Sequence, residues 1–207
     1  MFQAIIWDFD GTLMDTYPEI ARAVNQALAT FGRSTSLERV TQLSCISMDV
    51  CMLELSKEFE ISQETLREQF DLFYNFEMLT PFPNVVDICK RFQASGGQNF
   101  IVTHRRKPSL HRLLLLHEMK PLFTDIIAGD DGFPHKPDPS AIRYLIDKHN
   151  LDVDNLLVVG DRDLDILAGQ AVGAKTCLFR ASFPDIFPTL TIKGFEELIP
   201  FLEKPVE

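Results

Sequence analysis

An α/β protein is predicted: a doubly wound, parallel-sheet core with a small all-helical domain inserted after the first strand. Three observations predict it. Short runs rich in β-branched and aromatic residues recur along the chain and alternate with helical patterns. The alternation breaks between residues 15 and 80, where only helical periodicity is visible. The two edges of that gap read as linkers.

Five runs read as buried strands: Ala4 to Phe9, Asn99 to Thr103, Asp125 to Ala128, Leu156 to Val159 and Lys175 to Phe179. All but the last lead into a polar or Gly-containing loop. Between them, Val85, Ile88, Cys89 and Phe92 form a helical face that stops at Gly96-Gly97, and Ile142, Leu145 and Ile146 form another after Asp138-Pro139. Inside the gap, Ile20, Val24, Ala27, Leu28 and Phe31 share a helix face that Gly32 ends. A second helix runs from Ser62 through Leu66, Phe70, Phe73 and Phe76. Met14 to Thr16 and Thr80-Pro81-Phe82-Pro83 are the expected hinges, because the prolines forbid helix continuation. The expected division is residues 1–14 and 82–207 for the core and 15–81 for the insertion.

With 207 residues, 45% of them apolar, and 24% charged residues spread along the chain, a packed globular protein is expected. The net charge of −10 disfavours nucleic acid and anionic membranes as partners. Cys45, Cys51, Cys89 and Cys177 form no Cys-x-x-Cys pair, the N-terminus carries no basic stretch before its apolar run, and no run approaches the roughly 20 apolar residues of a membrane span. These features predict buried thiols and a cytoplasmic location.

Chemistry is concentrated at strand ends. Asp8-Phe9-Asp10-Gly11-Thr12 follows the first run, and a strand would put the carboxylates of residues i and i+2 on one side. Gly11 permits a sharp turn that brings its amide to an anion, and Thr12 adds a hydroxyl. A lone motif of this kind is more often a turn with solvated aspartates. A second acidic loop, Gly160-Asp161-Arg162-Asp163-Leu164-Asp165, follows the fourth run. A helix starting there would set Asp161 and Asp165 one turn apart, with Leu164, Leu167, Ala168 and Ala171 as its apolar face and Asp163 merely favouring the helix N-terminus.

In a parallel sheet both loops converge beyond the strand ends, so several carboxylates would repel one another unless a cation joined them. All-oxygen ligation selects Mg²⁺. Thr103 and Lys136 lie in two further loops of the same series and could bind an anion beside that metal.

These four pieces, Asp8-x-Asp10-Gly11-Thr12, Thr103, Lys136 and Gly160-Asp161-x-x-x-Asp165, resemble in this order the four motifs of the haloacid dehalogenase superfamily. The insertion resembles the helical cap of its phosphoglycolate phosphatase-like subgroup, on a Rossmann-like core. The resemblance implies a phosphatase in which Asp8 is the nucleophile and forms an aspartyl-phosphate. Asp10 would serve as general acid and base. It also implies Mg²⁺ held by Asp8, the Asp10 backbone carbonyl and Asp161 with support from Asp165. Gly11, Thr12, Thr103, His104 and Lys136 are the implied phosphate or substrate contacts.

The implied substrate is a small phosphorylated metabolite, and the implied assembly a monomer or homodimer. His104 stands where many relatives have Asn, and the run His104-Arg105-Arg106-Lys107 either contacts an anionic group of the substrate or offsets the acidic core. Leu43-Ser44-Cys45-Ile46-Ser47-Met48 lacks the glycines and Arg common in phosphoglycolate phosphatases. A phosphomutase of the β-phosphoglucomutase type is the enzymatic alternative, opposed by the absence of histidine from the insertion, where Ile20 takes the relevant position. A catalytically idle binding protein is the remaining alternative.

Overall fold

The structure is a computed structural model that describes residues 2–202. In chain order its elements are β1 (Ala4–Trp7), β2 (Met14–Asp15), α1 (Tyr17–Ala29), α2 (Leu37–Ile46), α3 (Met48–Phe59), α4 (Gln63–Phe73), β3 (Thr80–Pro81), α5 (Val85–Ala94), β4 (Gln98–Val102), α6 (Lys107–Leu116), β5 (Asp125–Ile127), α7 (Ser140–His149), β6 (Leu156–Gly160), α8 (Asp163–Ala171), β7 (Lys175–Phe179), β8 (Leu190–Ile192) and α9 (Ile199–Leu202). Two compact units result, one from Met1–Met14 with Pro81–Glu207 and the other from Asp15–Thr80.

In the first unit, six strands among the described residues form a sheet in the order β5-β4-β1-β6-β7-β8, with every pair parallel. The alternation of side chains along each strand builds the core. Ala4 and Ile6, Phe100 and Val102, and Leu156 and Val158 point to one face, where Ile142 and Leu145 of α7 and Ala168 of α8 cover them. Trp7 is fully buried; its ring meets Phe195 edge-on at 5.8 Å, and its N–H donates to the Asn99 side chain at 3.0 Å. The Asn99 amide in turn donates to the Cys89 and Leu122 carbonyls, so this buried polar group is satisfied.

β1 is the strand on which the topology turns. The chain adds β4 and β5 on one side of it, then β6, β7 and β8 on the other. A parallel sheet opens its ligand crevice at such a reversal, beyond the strand carboxyl ends. Asp8, Thr103 and Asp161 all follow strands that meet there.

The second unit packs α1 to α4 around Ile20, Val24, Leu28, Val40, Leu43, Met52, Leu55, Leu66 and Phe70. Ser36, Ser47 and Ser62 each accept a hydrogen bond from a first-turn amide and so start α2, α3 and α4. Gly32, at φ +67°, follows α1. The partly exposed pair of linkers becomes β2 and β3, which bond to each other.

Several sequence expectations need correction. β8 was not foreseen: three residues on the sheet edge, with exposed Thr191 between Leu190 and Ile192, give too brief an apolar pattern. β1 ends at Trp7 rather than Phe9. Phe76 lies beyond α4, which stops at Phe73, and sits in a short 3₁₀ turn. In α8 the buried face is Asp165, Ile166, Ala168 and Gly169, with Leu167 exposed, so the helix is rotated from the expected phase. That rotation serves close packing, since a Cβ on Gly169 would lie 2.9 Å from Val158 of β6.

Candidate active site

Asp8 continues the sheet ladder one step past β1, its N–H donating to the Val159 carbonyl at 2.9 Å. This anchors a side chain that is almost wholly buried. Its Oδ1 lies 2.5 Å from the Lys136 Nζ, while Oδ2 is buried with no hydrogen-bond partner. Burial pushes the Asp8 carboxyl above the usual range, against the pull of Lys136.

Lys136 is equally buried. Its ammonium donates to Asp8 Oδ1 and to the Val102 carbonyl at 2.9 Å, and it forms an ion pair with Asp165 Oδ1 at 2.6 Å. Burial alone would lower its pKa; Asp165 and Asp8 outweigh that and raise it, so the ammonium persists. The backbone amide of Lys136 is held as well, donating to His104 Nε2 at 2.9 Å.

The second acidic loop is shaped by an extended Arg162 and by Gly160. Asp161 therefore precedes α8 and is not one helical turn from Asp165, as had been expected. The carboxylates still converge: oxygens of Asp8, Asp161 and Asp165 lie within 4.8 Å of one another. Asp165 reaches back to the Arg162 amide at 3.1 Å, and a Cβ on Gly160 would lie 2.2 Å from the Asp165 Cβ, so only glycine admits this packing. Asp163 sits in the first turn of α8, as its helix-end reading required.

The first loop differs from expectation in three ways. Gly11 does turn the chain, at φ +81°, but its amide donates to the Met14 carbonyl at 2.9 Å and not toward an anion. Thr12 is buried and its hydroxyl donates to Asp161 at 3.0 Å, tying the two acidic loops together. Asp10 does not share a strand face with Asp8, since the strand has ended; its carboxylate is gripped by Arg105, at 2.9 and 3.1 Å from Nε and 2.6 Å from one terminal nitrogen. The Asp10 carboxylate is accordingly not among the three that converge.

Thr103 follows β4, buried, and its Oγ1 accepts from the Arg105 amide at 3.0 Å. His104, expected at the substrate, instead turns its ring to the Lys136 backbone and stacks on His135 at 4.3 Å. Burial, then the nearby Lys136 and Arg162, push its pKa down to about 3, which keeps the ring neutral and able to accept that bond. Gly129 permits the approach of the neighbouring loop, because a Cβ there would meet the His104 carbonyl at 2.2 Å.

Arg105 is the residue whose part sequence reasoning missed. The basic run was visible, but its partner lies 95 positions earlier, and no spacing rule links the two.

Residues 5–179 match the family described as haloacid dehalogenase-like hydrolase. Among curated relatives, a phosphoglycolate phosphatase of Aliivibrio fischeri is 32% identical over 184 residues, covering 83% of this chain and 81% of the relative. A phosphoglycolate phosphatase of Vibrio cholerae is 34% identical over 181 residues, covering 82% and 80%. Of solved structures, one described as a predicted phosphoglycolate phosphatase from Haemophilus somnus superposes with a TM-score of 0.85 at 23% identity over 98% of both chains, which speaks to fold. A hydrolase from Streptococcus pneumoniae superposes with a TM-score of 0.68 at 29% identity, covering 87% of this chain and 94% of that one. With strand order, acidic loops and family match in agreement, this chain belongs to the haloacid dehalogenase-like hydrolase family.

Proposed function

We propose that this phosphatase hydrolyses a small phosphorylated metabolite through Asp8, in a site that Mg²⁺ completes. The observation that carries the reading is the state of Asp8: one oxygen is fixed by a buried ammonium and the other is buried without a partner. An orphaned buried oxygen is costly unless a ligand meets it.

A divalent cation fits the donors. Asp8, Asp161 and Asp165 bring three carboxylates together beside the ammonium of Lys136 and the guanidinium of Arg162, which also acts on Asp8, and hard oxygen donors of this kind suit Mg²⁺. Asp8 and Asp161 would hold it, with the Asp10 backbone carbonyl as the third protein donor and Asp165 in support through its ion pair with Lys136 and its hydrogen bond from the Arg162 amide. When bound, Mg²⁺ neutralises charge on the phosphoryl oxygens.

The chain's own residues then divide the work. Asp8 attacks phosphorus and becomes an aspartyl-phosphate. Asp10 protonates the departing oxygen and later takes a proton from the water that frees the phosphate. Lys136 neutralises the phosphoryl group, and Thr103, whose oxygen already accepts from Arg105, offers its O–H proton to it. Gly11, Thr12 and His104 act by shape and support: the turn, the tie to Asp161 and the hold on the Lys136 backbone. The inserted helical unit is assigned the selective part of a cap.

Phosphoglycolate is the first substrate to test, because the named relatives are phosphoglycolate phosphatases. The decisive assay is phosphate release from phosphoglycolate, other phosphorylated metabolites and an aryl phosphate, with Mg²⁺ or EDTA, for wild type and Asp8→Asn. Mg²⁺-dependent release that disappears in the variant is expected. Release that survives Asp8→Asn, or a phosphorylated isomer accumulating in place of phosphate, would refute the reading.

A further inference from the structure

Resting on that reading of Asp10, we infer that Arg105 is a positioning residue that aims the Asp10 carboxyl at the leaving oxygen.

The geometry is that of a fork on a carboxylate. Arg105 Nε lies 3.1 Å from Asp10 Oδ1 and 2.9 Å from Oδ2, and a terminal nitrogen lies 2.6 Å from Oδ1. Planar guanidinium contacts to both oxygens fix the plane of the carboxyl group as well as its position, which a lysine could not do. Oδ1 accepts two of these contacts and Oδ2 one, so neither oxygen can swing away without breaking the fork.

Asp10 needs such a guide. It stands past the end of β1 in a turn, its side chain is 26% exposed, and it takes no part in the carboxylate cluster held by Lys136. Arg105 is itself well anchored: its side chain is 10% exposed and lies 5.8 Å from the buried Phe9 ring centroid. Its amide donates to Thr103 Oγ1 at 3.0 Å and its carbonyl accepts from Gly129 at 2.9 Å. The clamp therefore rides on the same strand end that presents Thr103, and Asp10 is registered against the phosphate-binding side of the site.

The part played in the reaction is limited to the proton. In the first step the Asp8–phosphorus bond forms as the bond from phosphorus to the substrate oxygen breaks, and that oxygen takes the Asp10 proton. In the second, water adds to phosphorus as the Asp8–phosphorus bond breaks, and Asp10 receives the water's proton. Arg105 touches neither phosphorus nor substrate in either step. Its loss should matter where the leaving oxygen needs a proton and little where it does not.

The test compares kcat/KM on an alkyl phosphate and on 4-nitrophenyl phosphate for wild type, Arg105→Ala, Arg105→Lys, Asp10→Asn and the Asp10→Asn/Arg105→Ala double variant. Arg105→Ala should lower the alkyl value by about tenfold or more, a fraction of the total worth of a general acid, and the aryl value by less than about threefold. It should have no further effect in the Asp10→Asn background, and added guanidinium ion should restore part of the alkyl activity. Equal losses on both esters, or a full loss in the Asp10→Asn background, would overturn the proposal in favour of a structural or anion-binding role. If Asp10→Asn leaves alkyl turnover intact, the reading of Asp10 fails and the clamp with it; if only Arg105→Ala is silent, the clamp alone fails. Trp7 fluorescence checks folding, and Arg105→Lys, which keeps the charge without the fork, repeats the comparison should the alanine variant unfold.

Discussion

Replacing Lys136 by methionine isolates the electrostatics of the site. The side chain keeps its length, but Asp8 and Asp165, both about 1% exposed, would face each other without the ammonium, and the Val102 carbonyl would lose its donor. Removing one member of a buried ion pair costs about 3–5 kcal/mol. There is also a ceiling, because the protein can escape by protonating a carboxyl. From the ordinary Asp value of 3.8, that escape costs about 4.5 kcal/mol at pH 7 and about 1.7 kcal/mol at pH 5, at roughly 1.4 kcal/mol per pH unit. A carboxyl whose folded pKa is raised gives a penalty that grows as pH rises above the unfolded value and vanishes below it. Urea unfolding in EDTA at pH 5 and pH 7 measures both figures. Trp7 is the sole tryptophan and is buried in the sheet, so its fluorescence follows the core unit without the helical one. A loss of equal size at the two pH values would refute the electrostatic account and assign the damage to packing.

Three further outcomes follow from the same geometry. Asp8→Asn should abolish turnover yet leave the metal-free core at least as stable as wild type in urea, since burial already disfavours the Asp8 charge. Gly160→Ala should cost about 1–3 kcal/mol and weaken Mg²⁺ binding measured by calorimetry, because the new methyl meets the first atoms of the Asp165 side chain at 2.2 Å. His104 should show no NMR titration between pH 5 and 8; with its pKa held at about 3, the stability it contributes is present above about pH 6.5 and declines as pH falls toward 3, so His104→Asn should flatten that acid limb.

How much of this was legible in the sequence depends on whether the information was local. The runs that became β1, β4, β5, β6 and β7 were readable because fully buried parallel strands are continuous apolar segments. The four loops were readable because chemistry at strand ends concentrates Asp, Thr and Lys within a few residues of each apolar run. β8 is too short to stand out, and the phase of α8 departs from its leucine pattern because Gly169 and Ala168 make the close contacts. The use of Gly11, Thr12, His104 and Arg105 depends on partners brought close only by folding. Thr12 meets Asp161 across 149 positions and His104 meets Lys136 across 32, and hydrogen-bond capacity alone does not name a partner at that range.

The central place of β1 has a consequence for how the chain acquires its structure. Ala4 pairs with Gln98 on one side and Leu156 on the other, so β1 is satisfied by partners roughly 90 and 150 residues later. The helices within Asp15–Thr80 need only near neighbours and can form while synthesis continues. At about 5–20 residues per second, Ile5, Ile6 and Trp7 wait on the order of ten seconds for β6 to emerge. The segment that leads into Asp8 thus keeps an unpaired edge for a long time after it is made, and dependence on chaperones should concentrate there.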